Sequence, residues 1–275
     1  MNIIKYIKFN NVLQFILLFL TLLIIIISVF IFIKHYRIFN NIESYDNNSN
    51  IENNTNNIKT CFIITGFLEK KYVDKLLETY KDVPDKIIST WNDQDNELIN
   101  ILKSNNFIIV QTEKPTKEIS STLQSIAIMN GINKAKELGF THAIKIRADV
   151  ECNNIILFKN IIINKYLLDS KLSCLTGIES YYGIYYLDFI ICGSLDNLTN
   201  LFINVNDTNE RSDFPEQFWA KSYLKTTESL TREDIKNIFN FFINDCKENN
   251  ISFKWVKTDE NIINEYYYVK DNGFI

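Results

Sequence analysis

Histidine is nearly missing from this 275-residue chain: there are two, His35 and His142. A Ser-His-Asp or Cys-His hydrolase would have to depend on His142, and no GxSxG accompanies it, so that class is improbable. Seven Gly and three Pro exclude collagen-like or linker-dominated chains. Positive charge is also in short supply: 29 Lys+Arg stand against 33 Asp+Glu, a net charge of −4. A protein whose main partner is a phosphate backbone wants a clustered positive excess, so no nucleic-acid partner is expected. The five Cys (61, 152, 174, 192, 246) have no CxxC spacing and no partnered His, which makes zinc improbable. Cys61 and Cys192 sit in apolar runs and read as small buried hydrophobes. Neither GxGxxG nor GxxxxGK[ST] occurs, so dehydrogenase and P-loop readings lack their phosphate loops.

What is abundant is apolar material. Hydrophobic residues make up 46% of the chain, enough for a full core. The first block is Val12 to Ile33, uncharged and with only Gln14, Thr21 and Ser28 polar. At 1.5 Å per residue it covers about 33 Å, enough for a hydrocarbon core. It is too long for the apolar region of a cleaved signal peptide and reads as a transmembrane anchor in a lipid bilayer, residues 12–33 after a short tail of 1–11. Lys5 and Lys8 before it nearly balance Lys34 and Arg37 after it. A short tail with the rest on the far side fits a single-pass type II protein, its C-terminal domain lumenal if the host is eukaryotic. Residues 34–57 follow, an Asn-rich flexible stem that cannot bury enough surface to order itself. Sequons begin at Asn47, Asn53, Asn197, Asn206 and Asn250, and in an Asn-rich chain they are weak evidence for a secretory lumen.

From residue 58 to 275 the pattern is α/β. Short β-branched runs at TCFIIT (60–65), IISTW (87–91), FIIVQ (107–111) and HAIKI (142–146) alternate with amphipathic stretches at 69–81, 97–104 and 123–138, the last stopping at Gly139. Alternation of this kind implies parallel pairing with right-handed crossovers, and a ligand beyond the carboxyl ends of the strands. Those ends carry Thr65 and Gly66, then Trp91 with Asp93 and Asp95, then Arg147, Asp149 and Glu151. If the fourth strand stays extended, the last three share one face. Two carboxylates at i and i+2 can hold Mg²⁺ or Mn²⁺, and Arg147 can fork onto a diphosphate. The competing reading is a solvated strand end with a local Arg–Asp pair. Further on, a helix from Thr231 to Asn249 and strand-like runs at 251–257 and 264–270 complete the domain.

Six segments in order then resemble one family: IISTWNDQD (87–95), Lys114-Pro115, LQSIAIMNGINKAKELG (123–139), IKIRADV (144–150), LDFIICGSLDNLTNLF (187–202) and PEQFWAKSYL (215–224). They are similar to the WavE-type lipopolysaccharide-synthesis proteins, which look like nucleotide-diphospho-sugar glycosyltransferases with a GT-A, Rossmann-type sheet and flanking helices. The resemblance implies a nucleotide-sugar donor at Thr65, Gly66, Trp91, Gln124 and Arg147, a glycan or glycoconjugate acceptor, and Asp149 in the place of the metal-binding aspartate, with Glu151 beside it. The family pattern has Arg before the glutamine and Asn at position 120; here Leu123 and Ser120 stand there. Glu216, placed in a first helical turn by Pro215, is the candidate base for an acceptor hydroxyl, against the plainer role of a good helix starter. Asp188, after the Tyr181, Tyr182, Tyr185 and Tyr186 run, is a candidate to face sugar hydroxyls, and Trp219 to cover a sugar ring. A non-catalytic, carbohydrate-binding or scaffold descendant of the same fold is the alternative.

Overall fold

A computed structural model describes residues 58–115, 120–167, 177–180, 183–186, 189–203 and 242–260, the backbone alone at 120–121, 177–180 and 183–186. All of them lie in one compact unit, Asn56–Ile275. The proposed span at 12–33 and the stem lie outside the described residues. Among the described residues no helix is long and apolar enough to cross a membrane.

The elements run β1 (Thr60–Thr65), α1 (Lys70–Thr79), β2 (Lys86–Trp91), α2 (Asn96–Ser104), β3 (Ile108–Thr112), α3 (Ser120–Glu137) and β4 (His142–Arg147). After them come β5 (Val150–Cys152), α4 (Ile155–Ile161), which widens into a π-helical stretch at Ile162–Leu167, β6 (Gly177–Ser180), β7 (Gly183–Tyr186), β8 (Ile190–Ser194), α5 (Leu195–Phe202) and β9 (Phe253–Trp255). Residues 242–248 are helical, the described part of the helix expected over 231–249.

The main sheet has the order β3-β2-β1-β4-β8. Its first four strands are parallel, as the alternating pattern predicts, and β8 closes the edge antiparallel to β4. Every residue of β1 and β2 is buried, which is why both read as unbroken apolar runs: helices cover both faces. One face carries Phe62, Ile64, Ile88, Ile144 and Ile146 against α1, α2, α4 and Phe253. The other carries Cys61, Ile63, Ile87, Ala143 and Ile191 against α3 and α5. Each such aliphatic or aromatic side chain contributes about 1.5–3 kcal/mol on burial, so the two clusters hold the sheet between them.

Local signals set the helix ends. Asp95 Oδ1 accepts from the Glu97 amide at 2.8 Å to start α2, and Ser194 Oγ accepts from the Asn197 amide at 3.1 Å to start α5. Gly139, at φ 77°, ends α3 with its amide on the Lys136 carbonyl. Gly131 lets α3 lie close on the sheet: a Cβ there would come within 2.5 Å of Ile63 Cγ2.

Candidate active site at the β1–β4 crevice

The chain goes from β1 outward to β2 and β3, then returns through α3 to β4 on the other side of β1. The order therefore reverses between β1 and β4, and that switch point opens a crevice beyond their carboxyl ends. Thr65 is the register partner of Arg147 there, and the Ala148 amide donates to the Thr65 carbonyl at 2.8 Å. Gly66 follows at φ 140°, where a side chain would be strained and a Cβ would lie 3.4 Å from Ala148 Cβ. Thr90 Oγ1 donates to the Gly66 carbonyl at 2.8 Å and fixes the bend. The expected ligand-binding pair Thr65–Gly66 and Arg147 are thus brought together.

The acidic motif is arranged differently from the extended reading. Ala148 and Asp149 form a turn, and Glu151 belongs to a separate two-stranded ribbon of β5 and β9. Arg147 Nε donates to Asp149 Oδ1 at 2.9 Å and its Nη2 to Oδ2 at 2.7 Å, a side-on fork between two partly buried groups. The fork expected for a diphosphate rests on Asp149 instead, as the competing Arg–Asp reading had it. Glu151 pairs with Lys75 Nζ of α1 at 3.2 Å. Beside the fork, Tyr72 of α1 has its phenol pushed up by burial, with the carboxylates of Glu69 and Asp149 adding to the effect.

Arg147 is boxed by two aromatic rings that the sequence reading did not assign to the site. Its Cζ lies 5.1 Å from the Trp255 ring centroid and 5.9 Å from that of Phe189. Those rings meet edge to face at 4.8 Å. Trp255 arrives through β9, whose register partner is Val150, and the Val256 amide donates to the Asp149 carbonyl at 3.0 Å. The aromatic run SFKWV was the only signal, and it could not say which residue it would meet.

Of the other expected site residues, Trp91 is 3% exposed at the end of β2 and so presents almost no surface to a ligand. Gln124 lies in the second turn of α3, and its Oε1 is buried without a hydrogen-bond partner, as is Ser125 Oγ. Leaving such a group unpaired costs about 1–3 kcal/mol. Glu216, Asp188 and Trp219 lie outside the described residues. His142 sits at the opposite end of β4, bonded through Nδ1 to Thr141 Oγ1 at 2.9 Å, with its pKa lowered by burial. Burial pushes the thiols of Cys61 and Cys152 up to about 12, which fits inert packing residues.

A hard divalent ion needs oxygen ligands with lone pairs to spare. Both oxygens of Asp149 are engaged by Arg147, yet an ionised carboxylate has about four acceptor sites, so it fits as one protein ligand. Glu151, held on Lys75, does not stand with it as a second. Among the described residues no group of three His, Cys, Asp or Glu side chains comes together.

No protein-family model matches the chain, and no curated protein matches it. Solved structures align at low similarity. A cytidylyltransferase from Leptospira borgpetersenii is 12% identical with a TM-score of 0.37, covering 79% of this chain and 99% of its own. The 4-diphosphocytidyl-2C-methyl-D-erythritol synthase from Anaerococcus prevotii is 12% identical with a TM-score of 0.42, covering 68% and 97%. A glycosyltransferase involved in glycosylation of the major capsid of PBCV-1 is 15% identical with a TM-score of 0.38, covering 60% and 75%. At such TM-scores the reading that follows stands on this chain's own residues.

Proposed function

We propose that the chain is a glycosyltransferase of GT-A type, anchored in a bilayer through residues 12–33 as a single-pass type II protein. It moves a sugar from a nucleotide-diphosphate donor to a glycan or glycoconjugate acceptor. One observation carries this reading: an arginine–aspartate fork set against Thr65–Gly66 at the point where the strand order reverses. In open α/β sheets that crevice is where ligands bind, and four of the six sequence segments that resemble the WavE-type family overlap β2, α3, β4 and β8.

The chemistry asked of the residues is electrostatic. Departure of a nucleoside diphosphate develops negative charge that a fixed cation stabilises. Arg147, steadied by Trp255 and Phe189, is the protein's own cation there, and Asp149 holds its guanidinium side-on. Asp149 is also the residue that would hold Mg²⁺ or Mn²⁺, with donor phosphate and water as the remaining ligands, and Glu151 joins only on release from Lys75. The ion would supply further charge neutralisation of the leaving diphosphate. Glu216 is proposed as the base that accepts the acceptor hydroxyl's proton, and Asp188 as a hydroxyl-facing group.

The test is a donor screen on the purified full-length chain in detergent, with UDP-, GDP- and CMP-sugars and with nucleoside triphosphates as controls. Turnover of one sugar nucleotide that stops with EDTA and in Asp149→Ala supports the reading. Turnover of a triphosphate alone replaces it with nucleotidyl transfer. A second reading, a non-catalytic sugar binder of the same fold, is favoured by both carboxylates of the acidic motif already having cationic partners. It predicts sugar-nucleotide or glycan binding without turnover.

A further inference from the structure

The sheet-facing side of α3 changes character along its length. Gly131 touches Ile63 and Ser89, and Ile128, Ile132 and Ala135 fill the apolar cluster. Helix α3 runs antiparallel to the strands, because it returns the chain from the end of β3 to the start of β4. Six residues before Gly131, about 9 Å along the axis, corresponds to nearly three strand residues beyond Ile63. Gln124 and Ser125 therefore stand level with Thr65 and Gly66. Gln124 falls on the stripe of Gly131, and Ser125 on that of Ile128 and Ile132, so they flank the line of β1. Ser125 is 3% exposed and its Oγ has no partner, and neither has Gln124 Oε1.

The kind of partner these oxygens lack identifies the ligand. A phosphate offers acceptors only, so it satisfies the Ser125 hydroxyl but leaves Gln124 Oε1, as it stands, unpaired, and could meet Gln124 only with the amide turned. An alcohol both donates and accepts, and satisfies both, whichever way the Gln124 amide is turned. Arg147, the register partner of Thr65 on the adjacent strand, supplies the cation for the charged part of such a ligand. We propose that Gln124 and Ser125 bind the hydroxyls of a sugar ring of the donor, with Thr65 beneath, while the diphosphate lies toward Arg147. This rests on the nucleotide-sugar reading above and assigns Ser125 a role that no sequence motif gave it. The ring is either the donor's ribose or the transferred sugar; the two share the hydroxyl chemistry.

Isothermal titration of the full-length chain in detergent, with Mg²⁺ present, separates these cases. The probes are inorganic pyrophosphate, UDP, GDP, CDP, UDP-glucose, UDP-N-acetylglucosamine and GDP-mannose, and the variants are Gln124→Leu and Ser125→Ala. Each variant is expected to weaken the tightest sugar nucleotide about tenfold, with a melting temperature that does not fall. The same loss with the bare nucleoside diphosphate identifies ribose; loss confined to the sugar nucleotide identifies the transferred sugar. Undiminished affinity in both variants overturns the inference and leaves the donor reading intact. An equal loss for pyrophosphate, or a fall in melting temperature that accounts for the lost binding, also overturns it. If the wild type binds none of the probes, the donor reading itself falls, and this inference with it.

Discussion

The two faces of the main sheet are built to different ends. Toward α1, α2 and α4 the face is mostly apolar and edged with rings: Phe158 meets Phe253 at 4.9 Å and Phe242 at 6.0 Å, and Tyr80 meets Phe62 at 5.3 Å. Its buried Lys86 and Thr90 donate to the Tyr80 and Gly66 carbonyls. Toward α3 and α5 it is apolar only near the amino ends of the strands. Closer to the carboxyl ends it takes up Ser89, Lys145 and Thr65, all buried, with Ser125 above them. Buried polar atoms are costly unless satisfied, so a face that concentrates them at one end gives up stability where the other face accumulates it. The first face thus carries most of the aromatic packing and walls the Arg147–Asp149 fork, while the second brings Gln124 and Ser125 toward the carboxyl ends of the strands.

The largest stability effect should come from the first face. Phe158→Ala removes a fully buried ring from the aromatic cluster and should cost about 3–5 kcal/mol, measured by urea denaturation. If Phe158→Ala proves no more costly than Ser125→Ala, the contrast between the faces is wrong. Asp149→Ala should act oppositely, with little change in melting temperature but a loss of about a hundredfold in donor turnover, read in a radiolabelled transfer assay. Gly131→Val tests how closely α3 is seated: the added carbons meet Ile63 and Ser89 and should cost about 1–3 kcal/mol. The smallest effect lies at the far end of β4. Burial lowers the pKa of His142 below its ordinary 6.5, so the unfolded chain binds more protons in the window just below that value. Stability should be full above pH 6.5 and decline as pH falls through the folded pKa. His142→Asn should flatten that part of the denaturation profile.

Much of the sheet was legible because a doubly covered parallel strand leaves a plain trace. β1 and β2 are buried at every position, and their β-branched runs say so. Gly139 marked the end of α3 for the same kind of reason: a single residue type suits the conformation. β8 was less accessible. FIICG looks like any buried run, and nothing in it encodes that it pairs antiparallel to β4. The turn at Ala148–Asp149 was missed because no Gly or Pro interrupts IKIRADVEC, so the extended period was carried two residues too far. Charge type survived that error where geometry did not: Arg147 and Asp149 are at the crevice, but they face each other. The orientation of Gln124 and Ser125 depends on how α3 is seated over Ile63, a tertiary fact with no local signature.

The pairing of β5 with β9 has a consequence for the order in which the molecule is made. The parallel strands and the helices between them leave the ribosome early, and domains fold from the amino end during synthesis. The guanidinium of Arg147 meets the Trp255 indole only after the chain has emerged past β9, well beyond β4. A nascent or prematurely ended chain would therefore own a sheet and a crevice but lack the wall that steadies its cation. Synthesis of the segment that carries Trp255 thus doubles as a step in assembling the binding centre.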